Sequence, residues 1–351
     1  MTTEPAARLK VPVPRIDHVM VLLDEDGHRE VSASGFVAER FGRIRRKQAD
    51  SSVAGPYATL GVAGEHTLIE FFGAALPAAS PLVGGLVFTF EEPGSSLAAR
   101  ALLDASGHGT YRHDLVRRTE RGTGERRPWY RMIDIDLGEG SPLLLFFNEV
   151  VPEYFRAIGA RPAPDGRLRR RDYLAAALGE PYDGTKMMRD ITGVTLAVGP
   201  RRARHLADAL SVFGFRAADR AAHGVSTGIR ELRGPGLRIR LDILSGADGV
   251  DGTGGSGGSD GSGGVGGTGG SGGGGGTGGS GGVGGTGGTG RGAGPGAAGE
   301  RITEIEVSLT PGSAGPAAPA EYRFGPSARL VIDTPERARW VFDPPGRAGS
   351  G

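Results

Sequence analysis

Four short apolar segments of similar pattern recur along the chain, and that recurrence limits the architecture more than any other feature. They are residues 16–23 (IDHVMVLL), 85–90 (GLVFTF), 191–198 (ITGVTLAV) and 302–309 (ITEIEVSL). Each is rich in Val, Ile, Leu and Phe and reads as a buried strand. Behind the second lies SSLAARALLDASG, a helix ending on Gly107. Behind the third lies RARHLADALSVFGF, where Leu206, Ala209, Leu210 and Phe213 keep the i, i+3, i+4, i+7 spacing of an amphipathic helix and Gly214 stops it. The segment SGFVAERFGRI holds the same place behind the first and is a poorer helix; the fourth has none. Further strands are expected at 57–62 and 66–72, 129–135 and 143–147, 228–232 and 237–244, and 329–332 and 339–342. Strand, helix, then two or three strands, four times over, predicts an α+β chain of four βαβββ modules with the fourth degenerate.

Between the third and fourth segments the composition changes abruptly. Of 65 glycines in 351 residues, 31 fall within residues 246–296, interleaved with Ser, Thr and Val. The run lacks the prolines a collagen helix needs and has no apolar face to bury, so it reads as a linker or an expanded surface loop. Its G-x-G-x-x-G matches arise from composition; none follows a strand and opens a helix, which removes a phosphate-binding reading. The remaining 300 residues suffice for roughly two domains.

Lys and Arg total 41 against 40 Asp and Glu, a balance that implies no nucleic-acid partner. The runs Arg43…Arg45-Arg46-Lys47 and Arg169-Arg170-Arg171 could touch phosphates, but acids stand close to both. The preference for Arg over Lys, with abundant Ala, Gly and Pro, is the mark of a GC-rich, bacterial type of coding. There is no cysteine, which removes disulfides, thiolate nucleophiles, Fe–S clusters and Cys-ligated zinc. No window approaches a membrane span and the first residues lack a signal-peptide core, so no membrane partner and a cytoplasmic location are expected.

The tetrad Ile16-Asp17-His18-Val19 opening the first unit and His66-Thr67-Leu68-Ile69-Glu70-Phe71 closing it, in this module order, resemble the glyoxalase-like, vicinal-oxygen-chelate superfamily, with two tandem domains. The resemblance implies a tail at 1–14, a first two-module domain at 15–155, a connection at 156–189, a second, degenerate domain at 190–343 interrupted by 246–296, and a tail at 344–351. It also implies ligands for a divalent metal (Zn, Fe, Mn or Ni) on the first and last strands of paired modules: His18, Glu70 and Glu149.

Alternation places Ile16, His18, Met20 and Leu22 on one strand face, and His66, Leu68, Glu70 and Phe72 on another. A histidine and a carboxylate inside apolar strands need a partner, because an unpaired buried polar group is costly. Three readings stay open: metal ligands, a histidine hydrogen-bonded to Glu70, or polar groups of a metal-free pocket. Glu149 could instead serve the helix entry before Pro152. His66 is expected to face solvent, and His108 and His113 to flank a loop. Arg117, Arg118, Arg126, Arg127 and Trp129 could meet an anionic substrate, or form a solvated hairpin face. Gly193 and Glu304 align with His18, so the second half is expected to lack a metal site. Two functions follow: a metal-dependent lyase, isomerase or dioxygenase acting on a small oxygen-bearing metabolite, or a metal-free protein that binds a small molecule without chemistry.

Overall fold

The computed structural model describes residues 11–51, 55–73, 82–108, 110–120, 122–218, 230–244, 299–313 and 319–343; the glycine-rich segment at 246–296 and both tails beyond these bounds lie outside the described residues. The first module is β1 (Arg15–Leu22), α1 (Glu25–Ala33), a π-turn at Val37–Phe41, then β2 (Arg43–Ser51), β3 (Gly55–Ala63) and β4 (Leu68–Phe72). The second is β5 (Gly84–Thr89), α2 (Ser95–Ala105), β6 (Tyr111–Thr119), β7 (Arg126–Ile135) and β8 (Leu143–Val150). Two helices follow, α3 (Pro152–Ala157) and α4 (Arg170–Leu178). The third module is β9 (Met188–Val198), α5 (Pro200–Val212), β10 (Arg216–Ala218), β11 (Arg230–Gly234) and β12 (Leu237–Ile243). The fourth is β13 (Arg301–Leu309), β14 (Ala320–Phe324), β15 (Ala328–Thr334) and β16 (Arg337–Phe342). The helix behind the first strand lies earlier than expected: Asp24 caps α1 by accepting from the Gly27 N–H at 2.6 Å, and SGFVAERFGRI supplies the π-turn instead.

The first eight strands close into a barrel in the order β1-β4-β3-β2-β6-β7-β8-β5; the last eight form an open sheet, β10-β11-β12-β9-β13-β16-β15-β14. The loss of one helix is visible in strand direction. In the first three modules the opening and closing strands pair parallel, which demands a crossover. In the fourth, whose described residues hold no helix, β13 and β16 pair antiparallel, because one chain reversal has been removed. Closure differs too: the Ser51–Arg118 pairing of β2 with β6 shuts the barrel, whereas β10 and β14 end the open sheet.

The outer face of the barrel is the inner face of the core. Val19, Val21, Ile69, Phe71, Leu86, Phe88, Leu145 and Phe147 form one cluster with Leu206, Leu210, Phe213, Val194, Leu196 and Trp340 of the second half. Trp340 is fully buried against Phe41, Phe71 and Phe324, with ring centroids 5.1–5.9 Å apart. With their apolar residues turned outward to this core, β1, β4 and β8 present the alternate positions to the barrel interior. No helix among the described residues is long and apolar enough to cross a membrane.

Candidate functional site

The barrel encloses a cavity of about 450 Å³ whose lining includes His18, Glu70, Lys47, Trp129, Asn148 and Arg170. Alternation accounts for most of it: Met20 on β1, Leu68 and Phe72 on β4, and Leu144 and Phe146 on β8 all point inward. Two irregularities add what alternation does not supply. In the β1–β5 register Ile16 faces Phe88 and His18 faces Val87, so Asp17 is an extra residue, and both Asp17 and His18 line the cavity. In the β6–β7 register Val116 faces Tyr130 and Arg117 faces Pro128, so Trp129 is extra, and both Trp129 and Tyr130 turn inward.

His18 is held between two carboxylates: Nδ1 lies 2.8 Å from Asp17 Oδ1 and Nε2 lies 3.2 Å from Glu70 Oε2. Burial works against the imidazolium, but the two carboxylates override it and raise the His18 pKa. Glu70 also accepts from the Thr59 hydroxyl at 2.6 Å and faces the Lys47 ammonium at 3.4 Å. Burial would raise its carboxyl; Lys47, His18 and Thr59 instead hold it well below the ordinary range. Asp17 pairs with the Arg170 guanidinium and accepts from Asn148 Nδ2 at 3.2 Å. There too burial opposes ionisation, and Arg170 and His18 bring the pKa down to about 2. Lys47 stands over the rings of Tyr57 and Trp129, 4.7 and 5.0 Å from their centroids.

Residues 156–189, expected as a plain connection, carry part of this site. Glu91 accepts from the Arg170 N–H at 2.8 Å and anchors the start of α4, which then delivers Arg170 and Tyr173 to the cavity. Trp129 Nε1 donates to the Tyr173 hydroxyl at 3.3 Å, and Leu174 packs on Ala63 and Leu68. The run Arg169-Arg170-Arg171 is therefore no phosphate patch: Arg169 faces Asp165, Arg170 faces Asp17, and Arg171 faces Glu65 and Asp172. The run at 43–47 divides likewise, since Arg45 and Lys47 enter the cavity and Arg46 points outward to the Ser32 carbonyl.

The structure brings His18 and Glu70 together and leaves Glu149 out. Glu149 is on the other face of β8, where its carboxylate accepts from the Gly94 N–H at 2.8 Å and the Ser96 N–H at 2.7 Å and so caps α2. Its strand neighbour Asn148 takes the cavity position and accepts from the Thr89 hydroxyl at 2.9 Å. Exposed backbone donors at a helix start attract a carboxylate, and that pull explains the placement. His66 is half-exposed rather than fully solvated, with Nδ1 3.1 Å from Asp190 Oδ2. His113 lies near the start of β6, beside the connection from α2.

A divalent ion shared by one imidazole nitrogen and one carboxylate oxygen, each bound at about 2.1 Å, separates them by about 3 Å. The 3.2 Å between His18 and Glu70 agrees, and Asp17 on Nδ1 is the outer carboxylate that orients a ligating histidine. Among the described residues no third donor joins them: the second module sets Val87 opposite His18, and Asn148 is engaged with Thr89 and Asp17. The Lys47 ammonium beside Glu70 further opposes a second cation. The donor set in the barrel therefore does not fit a catalytic metal. Among the described residues one group of three offers ligand atoms all within 4.8 Å of one another: Glu65, His66 and Asp190, at the contact between the β3–β4 turn and β9. Arg171 and Arg189 lie 3.8 and 3.5 Å from Glu65, so that group is already an ion-pair network.

In the second half the aligned positions hold no histidine. A Cβ on Gly193 would meet Glu306 at 3.0–3.3 Å, Glu306 pairs with Arg238, and Glu304 accepts from Arg339 at 2.8 Å.

Two parallel-ended modules closed around a cavity give the first half an α+β architecture of the glyoxalase-like fold. The chain belongs to the family described as "Family of unknown function (DUF5829)", whose match covers residues 16–231. No curated protein matches in sequence. Similar solved structures include a hypothetical protein from Staphylococcus aureus, 9% identical with TM-score 0.41, covering 66% of this chain and 87% of that one. The Mn(II)-bound glyoxalase from Novosphingobium aromaticivorans is 12% identical with TM-score 0.35, covering 67% of this chain and 62% of that one. Homoprotocatechuate 2,3-dioxygenase from Arthrobacter globiformis is 12% identical with TM-score 0.33, covering 66% and 60%. The chain thus spans less than two thirds of the latter two, and scores this low transfer none of their properties.

Proposed function

We propose that the barrel of the first half, the unit at 15–155 completed by α4, is a small-molecule site that works without a bound metal. The carrying observation is the His18–Glu70 pair, with Lys47, Arg45 and Asp17 about it, set against an aromatic and apolar wall in a cavity of about 450 Å³, a size within the range of ligand pockets. Convergent polar groups on an apolar wall orient a ligand; both His18 nitrogens are engaged by Asp17 and Glu70, and the depressed Glu70 carboxyl makes a weak base. This favours binding over metal-centred turnover.

A second reading retains the metal-dependent lyase, isomerase or dioxygenase, because the 3.2 Å His18–Glu70 separation and the Asp17 brace suit a shared ion of Zn, Fe, Mn or Ni. Equilibrium dialysis against Zn, Mn, Ni and Fe(II) separates the two. No stoichiometric uptake is expected at micromolar metal. Uptake that disappears in both His18→Ala and Glu70→Ala would replace the first reading by the second. Uptake lost in Asp190→Asn instead would place the ion at the Glu65–His66–Asp190 group.

A further inference from the structure

We propose that the cavity receives a small organic anion, a carboxylate on an aromatic or apolar body, and that Lys47 is the group that takes its charge. This rests on the cavity being a small-molecule site. At the mouth Arg112 and Asp134 pair with each other at 3.5 Å, and at the α4 end Arg170 pairs with Asp17. Once these are set aside, the centre holds one carboxylate, Glu70, against Arg45 and Lys47, with His18 adding to the positive side when protonated. A low-dielectric pocket with surplus positive charge is stabilised by an anion.

The Tyr173 phenol reports the same field. Burial would raise its pKa, yet Arg45, Arg170 and Lys47 lower it. Lys47 is the best placed of the cations. Its side chain is 12% exposed, Glu70 at 3.4 Å is the one carboxylate within 4.0 Å of it among the described residues, and the rings of Tyr57 and Trp129 flank it. A ligand oxygen can approach the ammonium, which has three donors. The rest of the ligand then meets an apolar wall of Met20, Phe72, Leu144 and Phe146, with Tyr130 stacked on Phe146 at an interplanar angle of 7°. The positive charge that a metal would bring to such a barrel is thus built into the chain.

Trp129 provides the readout, since it lines the cavity while Trp340, the other tryptophan, is buried in the core between the halves. Quenching of Trp129 fluorescence, in a Trp340→Phe background, is measured with phenylacetate, neutral phenylacetamide and cationic 2-phenylethylammonium. Phenylacetate should bind at least about tenfold more tightly than the amide, the difference of one charge contact of about 1.4 kcal/mol, and the ammonium least. Lys47→Met should remove the preference for phenylacetate over the amide, and Lys47→Arg should retain it. If Lys47→Met does not fold, by near-ultraviolet circular dichroism, the wild-type ranking and Lys47→Arg still decide. Equal or tighter binding of the amide, or phenylacetate affinity unchanged in a folded Lys47→Met, would overturn the proposal and leave the small-molecule site standing. No quenching by any of the three would overturn both.

Discussion

Replacing Asp17 by Asn tests the charged chain that organises the cavity. Asp17 is 3% exposed and touches three groups: Arg170, His18 Nδ1 at 2.8 Å, and Asn148 Nδ2 at 3.2 Å. Its pKa falls from 3.8 to about 2 on folding, against the upward pull of burial. At 1.36 kcal/mol per unit, that shift is about 2 kcal/mol of folding stability. A depressed folded pKa contributes stability that is present above 3.8 and is lost as pH falls through about 2. The Asp17→Asn protein lacks this contribution at every pH. Its cost at neutral pH is larger still, toward about 3–5 kcal/mol, because Arg170 remains buried without a counter-charge. Urea unfolding of both proteins at pH 7, 4 and 2 is the assay. The wild type should be more stable by at least about 2 kcal/mol at pH 7, and the gap should narrow by about 2 kcal/mol, almost all of it below pH 4. The double change Asp17→Asn with Arg170→Met should recover much of the loss. A gap under about 1 kcal/mol at pH 7, or one that does not change with acid, would refute the reading.

Glu149→Ala should cost about 1–2 kcal/mol through loss of the α2 cap, measured by urea unfolding, and leave ligand or metal uptake unchanged. Gly64→Ala should destabilise by about 1–3 kcal/mol or more, because the new Cβ would lie 2.0 Å from the Arg189 carbonyl oxygen where the halves meet. His66, whose pKa is raised by its hydrogen bond to Asp190, should stabilise the contact between the halves fully below pH 6.5 and lose that contribution as pH rises through the raised value. Unfolding midpoints from pH 5.5 to 8.5 should fall more steeply in the wild type than in Asp190→Asn.

Much of this protein is set by local pattern. Four apolar strand openings, the helices behind the second and third, and the missing helix of the fourth follow from composition and period, because a strand or an amphipathic helix depends on its own residues. The sharing of one face by Glu70, Leu68 and Phe72, and by His18 and Met20, follows from alternation alone.

Alternation fixes which residues share a face but not which face looks inward. For β8 that choice was made by the outer core and by the bare N-terminus of α2, which drew Glu149 outward and left Asn148 in the cavity. A bulge resets parity, so Asp17 beside His18 and Trp129 beside Tyr130 entered the cavity together, with no signal in either local pattern. Arg170 and Tyr173 reached the site from a connecting helix, and Lys47 from a run that resembles a solvated basic surface. Each of these placements depends on partners distant in sequence: Arg170 meets Asp17 only once α4 has docked, and Lys47 meets Glu70 only across β3 of the assembled sheet. Whether a charge is buried, and against which opposite charge, is a property of packing, and only the tertiary structure decides it.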